Sequence, residues 1–147
     1  MKPTARIAFH LGALGSVAAS LTHVWAIFAG PEAYASLGAP PDIVASAKAG
    51  TLYAPATTLA IALVIFGWAI YAWSALKLIP RMPLLRSGII AIAGVLLLRG
   101  IIIVPLMFFI PEHLGMFAYL SSAICFVLGA VYAIGLVLGW PQLRISK

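Results

Sequence analysis

The stretch Ser87–Ile110, SGIIAIAGVLLLRGIIIVPLMFFI, decides the fold of this chain. It is apolar throughout except for one guanidinium, which belongs to Arg99. About 20 helical residues cross the hydrocarbon core of a bilayer, which is roughly 30 Å thick, so this stretch is long enough to span one. It therefore predicts a transmembrane helix that carries a permanent positive charge inside the membrane.

The composition of the whole chain is that of a membrane protein. Of its 147 residues, 64% are hydrophobic and 8% are charged, and the mean hydropathy is +1.14. Apolar runs at 7–28, 53–76, 84–110 and 117–140 are each long enough for a helical span. They are continuous rather than alternating, which favours helices over barrel strands. We therefore predict an all-α bundle of four transmembrane helices in up-down-up-down order, with residues 1–147 forming a single integral membrane domain.

The charged residues are divided between the two sides of the predicted bundle. This division is the positive-inside pattern, and it predicts that both termini are cytoplasmic. The net charge of +6 then reflects orientation and contact with anionic lipid, so nucleic-acid binding is not expected. The basic residues on the predicted inner side are Lys2, Arg6, Lys77, Arg81, Arg86, Arg144 and Lys147, and the acids on the outer side, with Lys48, are Glu32, Asp42 and Glu112.

The link between spans one and two, residues 29–50, has the pattern of two short helices. Pro31 and Pro41 suit first-turn positions, where the missing N–H has no helical partner to lose. Gly38 and Gly50 suit the helix ends, where a left-handed residue is common. We expect a short helical cap over the outer mouth of the bundle, acting either as a packed connector or as a lid or partner surface.

Small residues recur at four-residue spacing on spans one and four. Such stripes let helix backbones approach closely in a membrane, where no hydrophobic effect drives helix association. They predict packing within the bundle, with contact in a homo-oligomer or with another membrane subunit as the alternatives. The lone cysteine cannot form an intramolecular disulfide and is expected to be a packing residue. The helix-packing residues are Gly12, Ser16, Ser20, Ser121, Cys125, Gly129 and Ala133.

Arg99 is the strongest candidate for a functional residue. A charged side chain at the centre of a spanning helix costs roughly 2.5–3.5 kcal/mol on insertion scales, so something must offset this cost. From the predicted inner side, Arg99 lies about 20 Å along span three and His23 about 24 Å along span one, which places both in the outer half of the membrane. A polar cluster near the outer mouth is therefore expected. Its candidate ligand-binding residues are Arg99, His23, Thr22, His113, Glu112 and Glu32.

The sequence leaves three alternatives for the role of this cluster. Arg99 either pairs with a loop carboxylate, binds helix-end carbonyls or extends towards the headgroups, all of which are structural roles. A second alternative is a site for an anionic ligand, a lipid headgroup or a quinone-like molecule. The third is a contact with a partner subunit.

The sequence lacks the residues that several kinds of transport and catalysis require. No carboxylate lies inside a predicted span, which argues against proton-coupled export of cations. The sequence offers no set of zinc ligands, no serine nucleophile with a base and an orienting group, and no phosphate-binding loop. A haem held by His23 and His113 is the one cofactor alternative, and it has no further support. We therefore predict no metal and no cofactor, and these absences favour a non-enzymatic protein without deciding the question.

Three segments carry a resemblance: HVW at 23–25, GPEAYASLGAP at 30–40 and LRG at 98–100. With them the chain resembles small four-helix inner-membrane proteins of Gram-negative bacteria that have no assigned activity. The likeness implies the topology and a location in the bacterial inner membrane, and it implies nothing about chemistry.

We therefore expect a small membrane protein with an outward-facing polar site around Arg99 and His23. The site would bind a small anionic molecule or a lipid, and the protein would act as a binding module or a transporter, as a homo-oligomer if it conducts a solute. The alternative is an accessory subunit of a larger respiratory or photosynthetic membrane complex. A less favoured alternative is a membrane enzyme that modifies lipid or quinone, with His23 as acid and base.

Overall fold

A computed structural model describes residues 1–110, 112 and 114–143 of the chain. These residues form seven α-helices and a terminal 3₁₀ helix, and no strand occurs among them. The elements are α1 Pro3–Ala29, α2 Pro31–Ser36, α3 Pro41–Lys48, α4 Tyr53–Ala75, α5 Leu85–Ile101, α6 Ile103–Phe109, α7 Met116–Gly139 and the 3₁₀ helix Trp140–Leu143.

Four helical segments are long and apolar enough to cross a membrane: α1, α4, α5 with α6, and α7 with the 3₁₀ helix. Large apolar side chains are exposed on the outside of the bundle, as at Phe28 and Leu98 (84% and 72% exposed). A water-soluble protein rarely exposes so much apolar surface, whereas a bilayer solvates it. The predicted all-α bundle of four spanning helices is confirmed, and its orientation in the membrane stays a prediction.

The spanning helices differ in how extensively they pack. α1 packs extensively along α4, α5 packs equally extensively along α7, and α1 also packs against α7. Contact between α4 and α5 is much sparser. α1 and α5 consequently lie diagonally across the bundle, each separated from the other by α4 and α7.

The third span is interrupted near its outer end. One continuous run at 84–110 is expected from hydropathy, but α5 ends at Ile101 and α6 begins at Ile103. Pro105 has no N–H to donate to the carbonyl of Ile101, and its ring crowds that carbonyl. The loss of this hydrogen bond explains the break, which lies just beyond Arg99.

The outer link forms two short helices, as the proline and glycine positions predict. α2 begins at Pro31 and α3 at Pro41. Gly38 and Gly50 follow these helices with φ of +68° and +66°, which other residues adopt at a cost. A side-chain hydroxyl then joins the cap to α4.

Ser46 supplies that hydroxyl. Its Oγ accepts a hydrogen bond from the Ala54 N–H at 2.9 Å, which satisfies one of the free donors in the first turn of α4. The Tyr53 hydroxyl donates to the Asp42 carboxylate at 3.4 Å. The cap is therefore fastened to the outer end of α4 through polar contacts.

Tyr132 lies at the centre of the bundle, where α1, α4 and α7 meet, and its side chain is fully buried. Its hydroxyl donates to the Trp68 carbonyl at 3.0 Å and accepts from the Ser16 hydroxyl at 2.9 Å. Its ring lies against Gly12, where an added Cβ would be 3.1 Å from the ring. On the same helix, Ser20 donates to the Ala62 carbonyl of α4 at 2.8 Å.

The small residues of α1 thus lie at helix interfaces inside the bundle. On α7, Gly129 is buried, whereas Cys125 and Ala133 are half-buried. The alternative of an oligomer or subunit contact stays a prediction.

Candidate functional site

Arg99 lies near the C-terminal end of α5, and its side chain is exposed on the surface of the bundle. The guanidinium reaches across to α7. Its Nη1 donates to the Ser122 Oγ at 2.8 Å, and its Nη2 donates to the Ser121 Oγ at 3.3 Å. Two serine hydroxyls on the neighbouring helix therefore hold the charge in one place.

Close contact between α5 and α7 makes this reach possible. A Cβ added at Gly100 would lie 2.7 Å from the backbone nitrogen of Phe126. A Cβ added at Gly129 would lie 2.8 Å from the backbone nitrogen of Leu97. Real Cβ atoms do not approach backbone this closely, so each position requires glycine. The two glycines bring the backbones together on the interface that also carries Arg99.

The serine partners satisfy donors of the guanidinium without neutralising its charge. Ser121 donates its own proton to the Ala118 carbonyl at 3.2 Å, so it meets Arg99 with an oxygen lone pair. Ser122 is buried, with 1% of its surface exposed. Within the described residues the hydrogen-bond partners of Arg99 are these hydroxyls, and no carboxylate is among them.

The depth of the site follows from its position on α7. Ser122 is less than two helical turns from Met116, the first residue of that helix, a distance of about 9 Å along the axis. The guanidinium therefore lies within two helical turns of the end of the bundle at which α7 begins.

The two predicted site residues on α1, His23 and Thr22, donate hydrogen bonds to carbonyls of α1 itself. His23 donates from Nδ1 to the Ala19 carbonyl at 2.8 Å, and Thr22 donates to the Ala18 carbonyl at 3.0 Å. Since α1 and α5 lie diagonally across the bundle, no hydrogen bond joins either residue to Arg99 in the described part of the chain. The structure thus does not assemble Arg99 and His23 into one hydrogen-bonded cluster.

The two acidic residues of the predicted polar cluster, Glu32 and Glu112, lie on exposed connecting segments. Glu32 lies in the first turn of α2 and is exposed, as is Glu112 in the link after α6. His113 lies outside the described residues. The site that the geometry does assemble consists of Arg99, Ser121 and Ser122. Their ligand-binding roles, like those of the other predicted residues, stay predictions.

The contact of Ser122 with Arg99 cannot be predicted from the sequence alone. A serine in a transmembrane helix is usually a small packing residue, and Ser121 is predicted as one on that basis. Two adjacent serines on the span that follows the one with the charge are the available signal. That signal gains meaning only when α5 and α7 are known to be neighbours.

No group of side chains suited to holding a metal ion occurs among the described residues. Arg99, Ser121 and Ser122 can attract an anion by charge and donate hydrogen bonds to it. These three residues do not include a nucleophile paired with a base. Comparison with protein-family models, with curated proteins and with solved structures finds no significant match, so its interpretation depends on its own geometry.

Proposed function

We propose that this protein is a multi-pass protein of the bacterial inner membrane that binds an anionic group, of the phosphate type, at Arg99. The observation that carries the proposal is the exposed guanidinium, held on the bundle surface by two hydroxyls that leave its charge uncompensated. With both termini cytoplasmic, the site faces the outer leaflet.

The physical argument is the cost of the charge. Burying a guanidinium at membrane depth costs roughly 2.5–3.5 kcal/mol on insertion scales, and hydrogen bonds to neutral serines do not remove the charge itself. Arginine carries more N–H donors than two serines occupy, and its planar fork matches the oxygens of a phosphate. An anion at this position would both neutralise the charge and use the remaining donors.

The surroundings of Arg99 favour an amphiphile as the source of the anion. Leu98 and Ile102, next to it in the chain, are exposed, with 72% and 50% of their surfaces accessible. A lipid can place its phosphate at the guanidinium and its acyl chains on such apolar surface, whereas a free anion gains only the first contact. The outer-leaflet lipid headgroup is therefore the favoured ligand, and a soluble phosphate is the alternative source of the same chemistry.

Replacing Arg99 by leucine should weaken this binding without unfolding the protein. Hydrogen bonds to charged groups contribute about 1.5–3 kcal/mol, so we expect the affinity to fall about tenfold or more. Leucine is favoured in hydrocarbon, which offsets the loss of the hydrogen bond to the buried Ser122 hydroxyl, so stability should change little. The measurement is a titration of short-chain phosphatidylglycerol into the protein in neutral micelles. Binding to the unmodified protein is followed at the Arg99 side-chain NMR signal, which is assigned with Arg99→Lys. Binding to Arg99→Leu is followed at the backbone amide signals of Ser121 and Ser122, which both proteins contain.

The matched control is Arg6→Leu, which removes an arginine near the start of α1, at the end of the bundle opposite Arg99. In this variant the Arg99 signal should still shift when phosphatidylglycerol is added. A response to phosphatidylglycerol but not to inorganic phosphate identifies a lipid headgroup, whereas equal responses identify a soluble anion. An Arg99 signal that neither probe shifts would overturn the proposal. Purification of the chain with another polypeptide at fixed ratio that covers Arg99 would also overturn it and support an accessory-subunit role.

A further inference from the structure

A cavity of about 340 Å³ lies at the end of the bundle opposite the Arg99 site. It is bounded by the end of α4, the link to α5 and the terminal 3₁₀ helix. Its polar lining consists of Ser74, Lys77, Arg81 and Gln142, and Leu85 contributes to the apolar wall. Two cations therefore face one cavity, and none of the described residues that line it is acidic.

The backbone places Lys77 at this cavity at some cost. α4 ends in a Schellman motif, in which the Lys77 N–H donates to the Ser74 carbonyl at 3.1 Å and the Leu78 N–H donates to the Trp73 carbonyl at 3.0 Å. The motif puts Lys77 at φ +61°, a left-handed conformation in which glycine is the usual residue. Lysine is strained there, but it brings an ammonium group to the cavity that glycine would lack.

The other lining residues have hydrogen-bond donors to offer. The Ser74 Oγ accepts from the Met82 N–H at 2.8 Å, which leaves the hydroxyl proton for a further acceptor. Arg81 donates from Nη2 to the Leu143 carbonyl, which anchors the guanidinium and leaves other N–H groups. The cavity is thus surrounded by ammonium, guanidinium, hydroxyl and amide donors. Charged and neutral donors of these kinds bind phosphate oxygens in proteins.

We propose that this cavity binds the phosphate group of an anionic phospholipid in the leaflet at the basic end of the bundle. Its volume is at the lower end of the range of roughly 300–1,000 Å³ for small-molecule sites, which suits a headgroup rather than a whole lipid. Basic pockets between transmembrane helices on the cytoplasmic side are suited to anionic headgroups. The site is independent of Arg99 and of the function proposed for it.

The surroundings of the cavity provide a place for acyl chains. α4 and α5 have few close backbone contacts, and near the cavity the Tyr71 ring of α4 fills the space against Gly88 of α5. The acyl chains would therefore lie on the outside of this helix pair rather than between the helices. Leu78 and Leu84, on either side of the link, are exposed, with 60% and 78% of their surfaces accessible. A soluble phosphate would use the same donors without this apolar surface.

The test is Lys77→Gly, which removes the cation and relieves the strained backbone together. The retention of phosphatidylglycerol, measured by native mass spectrometry against equimolar phosphatidylcholine, should fall about fivefold, as expected for one lysine near an anionic headgroup. The unfolding temperature of the variant should be at least as high as that of the unmodified protein, because glycine suits the left-handed position. Lower binding in a protein of equal or greater stability cannot be attributed to misfolding.

The matched control is Lys48→Gln, which removes a lysine from α3 at the other end and should leave retention unchanged. The same effect of Lys77→Gly is expected in an Arg99→Leu background, because the two sites lie at opposite ends. Competition with glycerol phosphate at constant ionic strength tests whether the bound phosphate belongs to a lipid. If glycerol phosphate displaces phosphatidylglycerol at a concentration similar to that of the lipid, the ligand is a soluble phosphate. Retention unchanged by Lys77→Gly, or equal for the two lipids, would overturn the proposal.

Discussion

Gly100→Ala should destabilise the bundle by about 2–3 kcal/mol, the upper part of the usual range for overpacking. The new methyl group would lie 2.6 Å from the Phe126 Cβ and 2.7 Å from the Phe126 Cα and backbone nitrogen. Rotation of a side chain cannot relieve contacts with these atoms, so α5 and α7 must move apart. Helix association in membranes depends on close van der Waals packing, so separation removes the main attraction between these helices. Reversible unfolding of the full chain in mixed micelles measures the loss.

Gly94→Ala is the matched control for this substitution. Gly94 also lies on α5, and an added Cβ there would have nothing within 4 Å. Alanine in an open helical position is favoured over glycine by about 1 kcal/mol, so this variant should be as stable as the unmodified protein or more stable. Equal stability of Gly94→Ala and Gly100→Ala would contradict the tight α5–α7 contact.

The same substitution should also weaken anion binding at the outer end. The hydrogen bonds from Arg99 to Ser121 and Ser122 depend on the closeness of α5 and α7 at Gly100. Separation of the helices removes these bonds while the charge remains. Gly100→Ala would thus lower binding without altering any binding residue, and Gly94→Ala would not.

Tyr132→Ala should produce a still larger loss of stability. Truncation of a buried aromatic side chain to alanine typically costs about 3–5 kcal/mol, because a cavity remains where the surroundings cannot collapse. Tyr132 is fully buried where three helices meet. Its removal would also leave the Ser16 hydroxyl, which is fully buried, without its partner. Unfolding in mixed micelles should show a lower midpoint and a smaller free energy of unfolding.

Tyr132→Phe separates the polar contribution from packing. It keeps the ring against Gly12 but removes the hydroxyl that joins Ser16 to the Trp68 carbonyl. Side-chain hydrogen bonds in membrane proteins contribute about 0.6 kcal/mol on average, so the loss should be far smaller than for alanine. Addition of Ser16→Ala to Tyr132→Phe should cost little more, since both remove the same bond. Comparable losses for Tyr132→Phe and Tyr132→Ala would show that hydrogen bonding, not packing, dominates at this position.

The sequence predicts a polar cluster that contains Arg99 and His23, and the structure brings Arg99 together with Ser121 and Ser122. Arg99 stands out because charge is rare in an apolar span, and that rule requires no neighbours. Similar depths along their helices predict that His23 belongs to the same cluster. Equal depth does not imply contact, however, since α1 and α5 lie diagonally across the bundle. The sequence does not single out Ser122, because a serine gains a role only from the residue that it faces.

The sequence by itself determined which segments cross the membrane and how the outer cap folds. Hydropathy and length decide whether a segment enters hydrocarbon. Proline and glycine decide local helix ends, as at Pro31, Pro41, Gly38 and Gly50. These effects act within one segment, so they can be derived without knowledge of the tertiary structure.

Only the tertiary structure decided which helix faces which and where each polar side chain lies. The spanning helices are apolar on all sides, and lipid tails are as apolar as a protein core, so hydropathy does not reveal an inward face. Rotation and neighbours are instead set by close contacts such as those at Gly100 and Gly129. These contacts give Arg99 two serines as partners, and they leave its charge at the surface, accessible to an anion.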